Sequence, residues 1–284
     1  MANPIDARAL LQSGDARAAL AALKQEVRKA PRDAALRTFL FQLFCIFGEW
    51  DRALTQLTVT AELNPLALPM AETYRTLIRC ELLRDGVFAG TRTPTLFGHP
   101  QPWVAMLLEA NRALASGAYA AAAGLRDQAF EQADATPGSA DGQEFEWIAD
   151  SDPRLGPVFE AVVDGTYYWI PMQHVATLTI EKPTDLRDQV WLPVRFKWTN
   201  AGESVGFIPT RYPGSATASD PMLALAKRTE WVEQGDPDLG WGLGLGQRMF
   251  SIGESEIALM DLRSLTLGAG EAGLVSAGAA PSAT

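Results

Sequence analysis

The chain is short of the residues that most often do chemistry. Its 284 residues include two histidines and two cysteines. Nucleophilic catalysis usually needs a base beside the nucleophile, most often histidine. His99 sits in a Gly-His-Pro loop and His174 opens a predicted strand, each without a motif around it. Cys45 and Cys80 fall in separate apolar, helical-looking stretches. That spacing argues against a zinc site and a disulfide framework, so both thiols are expected to be reduced and structural. Basic residues are also scarce, 24 Lys and Arg against 34 Asp and Glu, for a net charge of −10. Phosphate contacts need clustered cations, so nucleic acid and anionic membrane surfaces are poor partners. No apolar run approaches the ~18 residues of a membrane span. The N-terminal MANPIDARAL has no basic region followed by an apolar core, so no signal peptide is read and the cytoplasm is the expected location.

What the chain has in quantity is apolar surface, 47% of residues, and in its first half this is repetitive. Gly14 and Gly48 are one repeat apart, as are Pro31 and Pro65, Ala19 and Ala53, Leu20 and Leu54, and Leu23 and Leu57. The shared period is that of the tetratricopeptide repeat, about 34 residues. The glycines suit turns, the alanines let helices approach, and the prolines follow helix ends. Phe41, Glu26 and Thr60 stand where that repeat prefers smaller residues. A looser third unit starts at Gly117-Ala118-Tyr119. Helices are expected near 4–13, 16–29, 34–47, 50–63, 67–85, 101–116 and 118–134, with 86–102 as an interrupting loop.

Thr136-Pro137-Gly138-Ser139 is a turn cluster and the expected boundary. Beyond it the apolar period falls to two. Val190, Leu192, Val194, Phe196 and Trp198 alternate with Trp191, Pro193, Arg195 and Lys197, which predicts a half-buried strand. Pro193 donates no ladder bond, which suggests an edge or a bulge. Strands are also expected at 167–170, 175–181, 203–208, 228–232, 247–251 and 256–262, with a short helix at 221–227. The predicted fold is α+β, a tetratricopeptide-like superhelix (1–136) followed by a mainly antiparallel sheet or small barrel (137–267). A disordered tail (268–284) completes it.

Few residue patterns suggest a site. Asp150 and Asp152 are the best carboxylate pair, but without EF-hand spacing they read as turn caps, with Arg154 pairing one of them. The strict alternation of Gly240, Gly242, Gly244 and Gly246 does not fit a dinucleotide fingerprint and reads as a flexible β-loop from which Trp241 reaches a neighbour. Tyr, Trp and Arg, the types enriched at interaction hot spots, crowd the second half.

Five segments in this order resemble the ImpE family, also called TagJ- or SciE-type. They are EFEWIADSD with RLGP, GTYYWIP, LRDQVW, PTRYPG and RTEW. They contain Trp147, Asp150, Asp152, Arg154, Tyr168, Trp169, Arg187, Asp188, Trp191, Arg211, Tyr212, Arg228, Glu230 and Trp231, expected to be structural or partner-binding. Arg154, Arg187 and Arg211 are expected to pair with carboxylates such as Asp150, Asp152 or Asp188. The resemblance implies an accessory protein of bacterial type VI secretion, associated with the sheath small subunit TssB and the sheath-recycling ATPase ClpV. It implies no catalytic residue, metal or cofactor. Two other readings are a ligand binder or enzyme using Asp150, Asp152, Arg154 and Arg187, and a repeat scaffold outside secretion.

Overall fold

A computed structural model describes residues 7–99 and 101–268. The expected disordered tail, apart from Gly268, and the first residues of the first predicted helix lie outside the described residues.

The repeat period becomes helical hairpins. The helices are α1 (Ala7–Gln12), α2 (Ala16–Lys29), α3 (Ala34–Ile46), α4 (Trp50–Leu63), α5 (Leu68–Phe88), α6 (Pro102–Ala115) and α7 (Tyr119–Gln132). Asp15 and Asp33 cap α2 and α3 by accepting hydrogen bonds from Ala18 N, and from Ala35 and Leu36 N, which satisfies otherwise orphaned first-turn donors. Gly14 and Gly48 turn the chain at φ +90° and +65°, where a Cβ would be strained. Ala16, Ala19, Leu20, Leu23 and Val27 bury one face of α2.

The segment expected to be an interrupting loop is more ordered than its Gly, Pro and Thr suggest. α5 continues to Phe88 because Arg84, Val87 and Phe88 pack on the following sheet. β1 (Thr95–Leu96) then joins that sheet, parallel to β6.

The remaining strands are β2 (Gly138–Ala140), β3 (Gln143–Phe145), β4 (Ile148–Asp150), β5 (Val158–Val163), β6 (Thr166–Pro171), β7 (Val175–Ile180), β8 (Trp191–Trp198), β9 (Glu203–Pro209), β10 (Thr229–Glu233), β11 (Gly242–Gly246), β12 (Met249–Ile252), β13 (Ser255–Ala258) and β14 (Ser264–Leu267), with a short helix α8 (Pro221–Ala224). The main sheet has nine strands in the order β1-β6-β5-β9-β8-β7-β14-β2-β3, antiparallel except for β1 with β6. It has two ends, so the sheet and not the barrel is formed. A smaller sheet, β13-β12-β4, and a ribbon, β10-β11, accompany it.

Pro193 is not at an edge. β8 lies between β9 and β7, and Pro193 pairs with Phe207. The β7 register ends at Val194, one residue short of it, so the missing N–H falls beyond that ladder. Nor is β8 half-exposed at its start. Trp191, on the predicted outer face, is fully buried against the helices.

One continuous core runs from Leu23 and Phe41, through Tyr74 and Leu77, to Val158, Trp169 and Trp191. A second core on the opposite face joins Phe159, Leu178 and Phe196 to Phe250 and Leu262. The main sheet is therefore covered on both faces. This explains why β5, buried along its whole length, shows no alternation in the sequence.

Candidate functional site

The charged centre of the molecule lies where α5 meets β5. Glu160 is the one charge in the apolar strand Val158–Val163, and its side chain turns toward the helices. Arg84 of α5 grips it at both oxygens, Nε at 2.7 Å and Nη2 at 3.0 Å. Arg248 and the Tyr167 hydroxyl donate to the same carboxylate. Arg248 also donates to Asp150, which accepts from Tyr212 Oη at 3.0 Å. Burial alone would raise Glu160, but Arg84 and then Arg248 hold it down to about 2. Burial dominates at Asp150, where the carboxyl is pushed up to about 6 against the pull of Arg248.

Asp150 and Asp152 are turn caps, as the sequence suggests. Asp150 Oδ1 accepts from Asp152 N at 2.9 Å, and Asp152 Oδ1 from Arg154 N at 2.9 Å. Arg154 returns a fork to Asp152, with Nε at 2.8 Å and Nη2 at 2.5 Å, and Gly244 N donates to Asp152 as well. These groups are buried and mutually satisfied.

Arg187 pairs with Asp185, at 2.9 and 2.7 Å, rather than with Asp188, and its guanidinium lies over Tyr74. Asp188 is occupied locally, accepting from the amides of Thr184 and Asp185. Arg211 departs from the carboxylate expectation altogether. It donates to the carbonyls of Cys45, Ile46 and Ala224, so a buried guanidinium closes the C-terminal end of α3, where unpaired carbonyls concentrate negative potential. Burial pulls it down to about 10 despite Glu81 nearby.

The aromatic motif residues divide by face. Trp169 and Trp191 are fully buried and bonded, Trp169 Nε1 to Tyr167 Oη at 2.9 Å and Trp191 Nε1 to Glu81 Oε1 at 3.0 Å. Tyr168 points the other way, onto Phe97. Trp147 and Trp231 remain about 40% exposed, and Trp231 leans on Tyr212. Arg228 is surface-exposed between Asp220 and Glu230. The motifs therefore do not converge on one site. Asp150, Asp152, Arg154, Arg211 and Tyr212 gather at the junction, while Arg187 and Asp188 lie beside α3 and Arg228, Glu230 and Trp231 belong to the ribbon and its approach.

The glycine run is not a flexible loop. Gly242–Gly246 is strand β11, and Trp241 is buried within its own chain, donating to Tyr119 O beneath Arg126. Sequence reading also passed over Arg84, Glu160 and Arg248. A lone glutamate inside VFEAVV was the available signal, because a charge in a fully buried strand must be paired. No group of three or more His, Cys, Asp or Glu among the described residues could hold a metal ion. Cys45 and Cys80 are buried and unpaired. Among the described residues no helix is long and apolar enough to cross a membrane.

The family model for ImpE protein matches residues 142–266. A crystal structure of protein VPA1032 from Vibrio parahaemolyticus shares the fold at a TM-score of 0.85 and 28% identity, covering 94% of this chain and 98% of that one. The type VI secretion system accessory component TagJ of Pseudomonas aeruginosa is 46% identical over 259 residues, 91% of this chain and 90% of that protein. Identity at that level across nine-tenths of both sequences extends the likeness over the helices as well as the sheet, and this chain belongs to the ImpE family.

Proposed function

We propose that this protein is a non-enzymatic, cytoplasmic accessory component of a bacterial type VI secretion system. In this reading it is an adaptor that binds a TssB-like sheath small subunit and links it to a ClpV-type ATPase. The observation that carries the reading is the 46% identity to TagJ over 91% of the chain. The helical hairpins suit it, since stacked repeats expose grooves that take an apolar helical face. The net charge of −10 favours a partner segment carrying Lys or Arg.

The competing ligand or enzyme site is disfavoured by geometry. Asp150, Asp152 and Arg154 direct their polar atoms into buried bonds with one another and with the backbone, and Arg187 stands apart beside Tyr74. A substrate would have to displace these buried bonds to engage Asp150, Asp152 or Arg154.

Fluorescence anisotropy of full-length protein with labelled peptides spanning the sheath subunits tests the proposal. One amphipathic segment should bind with a dissociation constant on the order of micromolar, and salt should slow its association without abolishing it. If no sheath-derived helix binds at ~100 μM, where weak complexes of this size are visible, the adaptor reading is wrong.

A further inference from the structure

A cavity of about 310 Å³ opens above the junction, between the α3–α4 turn, α5 and the loop 211–217. Gly48 lets that loop approach, since a Cβ there would lie 3.1 Å from Ala216 Cβ. The cavity walls include Trp50, Glu81, Arg84, Asp85 and Arg211. We propose that this cleft receives one basic side chain, arginine or lysine, carried by a protein partner.

Charge is the first reason. Arg84 is held by Glu160 and by the Arg211 carbonyl, and reaches Glu81 only at 3.4 Å. Arg248 is shared between Glu160 and Asp150. Arg211 directs its donors to three backbone carbonyls. Four carboxylates, Glu81, Asp85, Glu160 and Asp150, thus face three guanidiniums, Arg84, Arg211 and Arg248, and the surplus sits at the cavity. Asp85 is the one with no hydrogen bond or ion pair from its carboxylate among the described residues. Asp85 borders the cavity while exposed to solvent, and partial burial raises its pKa against the opposing pull of Arg84. Glu81, one helical turn earlier, is raised in the same way, first by burial. Each shift means that the ionised form lacks compensation that an incoming cation would supply.

Shape and continuity are the second reason. Trp50 forms a half-buried wall, the aromatic surface over which a cation is favoured. The same indole borders an adjoining cleft of about 400 Å³ with Glu49, Asp51, Arg52 and Leu82. Arg52 is already paired with Glu49 at 2.5 Å, while Asp51 has no ion pair among the described residues, and Leu82 is 52% exposed. A basic side chain in the first cleft therefore places the next turn of an amphipathic segment against Leu82, beside a second free carboxylate. The choice of a protein segment as occupant rests on the adaptor reading above; the cleft's preference for a cation does not.

The Trp50 indole N–H resonance of full-length protein, assigned by its loss in Trp50→Phe, reports occupancy. Titrants are N-acetyl-arginine methylamide, the corresponding lysine, uncharged N-acetyl-citrulline methylamide, and free L-arginine. The blocked cations should give saturable shifts on the order of millimolar, citrulline none, and Asp51→Asn/Asp85→Asn, two surface changes, should weaken binding about threefold or more. Equal binding of citrulline, no saturable shift with either blocked cation, or an unchanged affinity in the double variant overturns the proposal. Free L-arginine binding far tighter than the blocked form would mark a metabolite site using Arg211 and overturns it too. Sheath peptides that fail to bind a protein whose cleft takes the cations would refute the adaptor reading alone.

Discussion

Glu160 is a carboxylate with no exposure to water, and its ionisation is tied to folding. In the unfolded chain it titrates near 4.5, and in the folded chain near 2, because Arg84 and Arg248 outweigh its burial. A depressed folded pKa stabilises fully above the unfolded value, and that contribution is lost as pH falls from 4.5 toward 2. It amounts to roughly 3 kcal/mol. Asp150 works in the opposite sense. Its folded pKa of about 6 exceeds the ordinary 3.8, so its contribution is present below 3.8 and lost as pH rises toward 6. Urea unfolding at pH 3 and pH 6.5 separates the two. Glu160→Gln should cost roughly 3–5 kcal/mol at pH 6.5 by leaving two buried guanidiniums under-compensated, and should lose most of the wild-type decline on acidification. An acid profile identical to wild type would contradict the assignment. Arg154→Ala should cost a similar amount, because its pair with Asp152 is buried, whereas Arg187→Ala should cost only about 1 kcal/mol, since the Arg187–Asp185 pair is partly exposed. Of this site, the Asp150–Asp152–Arg154 turn was legible in the sequence because its bonds are local. Arg84, Glu160 and Arg248 were not grouped, because they meet across 76 and 88 residues of chain. Arg211 defied a rule of opposite charges by finding a helix end instead.

Helices α1 to α7 were readable nearly to their termini, because one-faced burial imposes a 3.6-residue period and Asp or Gly marks the ends. Strands with one covered face were readable by alternation in the same way. β5 was missed because both its faces are covered, and β11 because its glycines imitate a loop. Those glycines are there for contact. A Cβ on Gly244 would lie 2.3 Å from the Tyr212 ring, and one on Gly246, at φ +89°, 1.9 Å from the Arg228 carbonyl. Gly246→Ala should therefore cost roughly 2–5 kcal/mol, from backbone strain and overpacking together. Gly142 has nearly the same φ, +87°, with open space where the Cβ would go, so Gly142→Ala should cost only about 1–2 kcal/mol. Thermal melts of the pair separate strain from crowding, and equal losses would mean that β11 does not pack as described. Arg211→Lys tests the α3 terminus. A point charge cannot reproduce a planar fork aimed at three carbonyls, so a loss of about 1–3 kcal/mol is expected, and a neutral outcome would remove Arg211 from that role.

The proposed division into 1–136 and 137–267 describes the chain's periodicities, but although the second segment has a core of its own on the far face of the sheet, the helices share theirs with it. Phe41, Tyr74 and Leu77 from the helices share one apolar cluster with Val158, Trp169 and Trp191 from the sheet. Trp191 stands at its centre, within ring contact of Trp50 and Tyr74 and bonded to Glu81 of α5. Arg84 reaches from α5 to β5, and Arg211 from the sheet side to α3. Unfolding either segment would expose the apolar face of the other and strand buried charges on both sides, a cost comparable with a typical domain's stability of about 5–15 kcal/mol. Neither segment should therefore keep its full stability on the other's loss. Calorimetry of the full chain should show one transition with equal calorimetric and van't Hoff enthalpies, and the far-ultraviolet helical signal should melt together with tryptophan fluorescence. Trp191→Ala sharpens the test. It removes a side chain from the sheet alone, yet it should lower the helical and fluorescence midpoints together, with a loss of roughly 3–5 kcal/mol. Helices that melted at the wild-type temperature while the sheet melted early would show that the two segments stand independently, and that the shared core contributes little to holding them together.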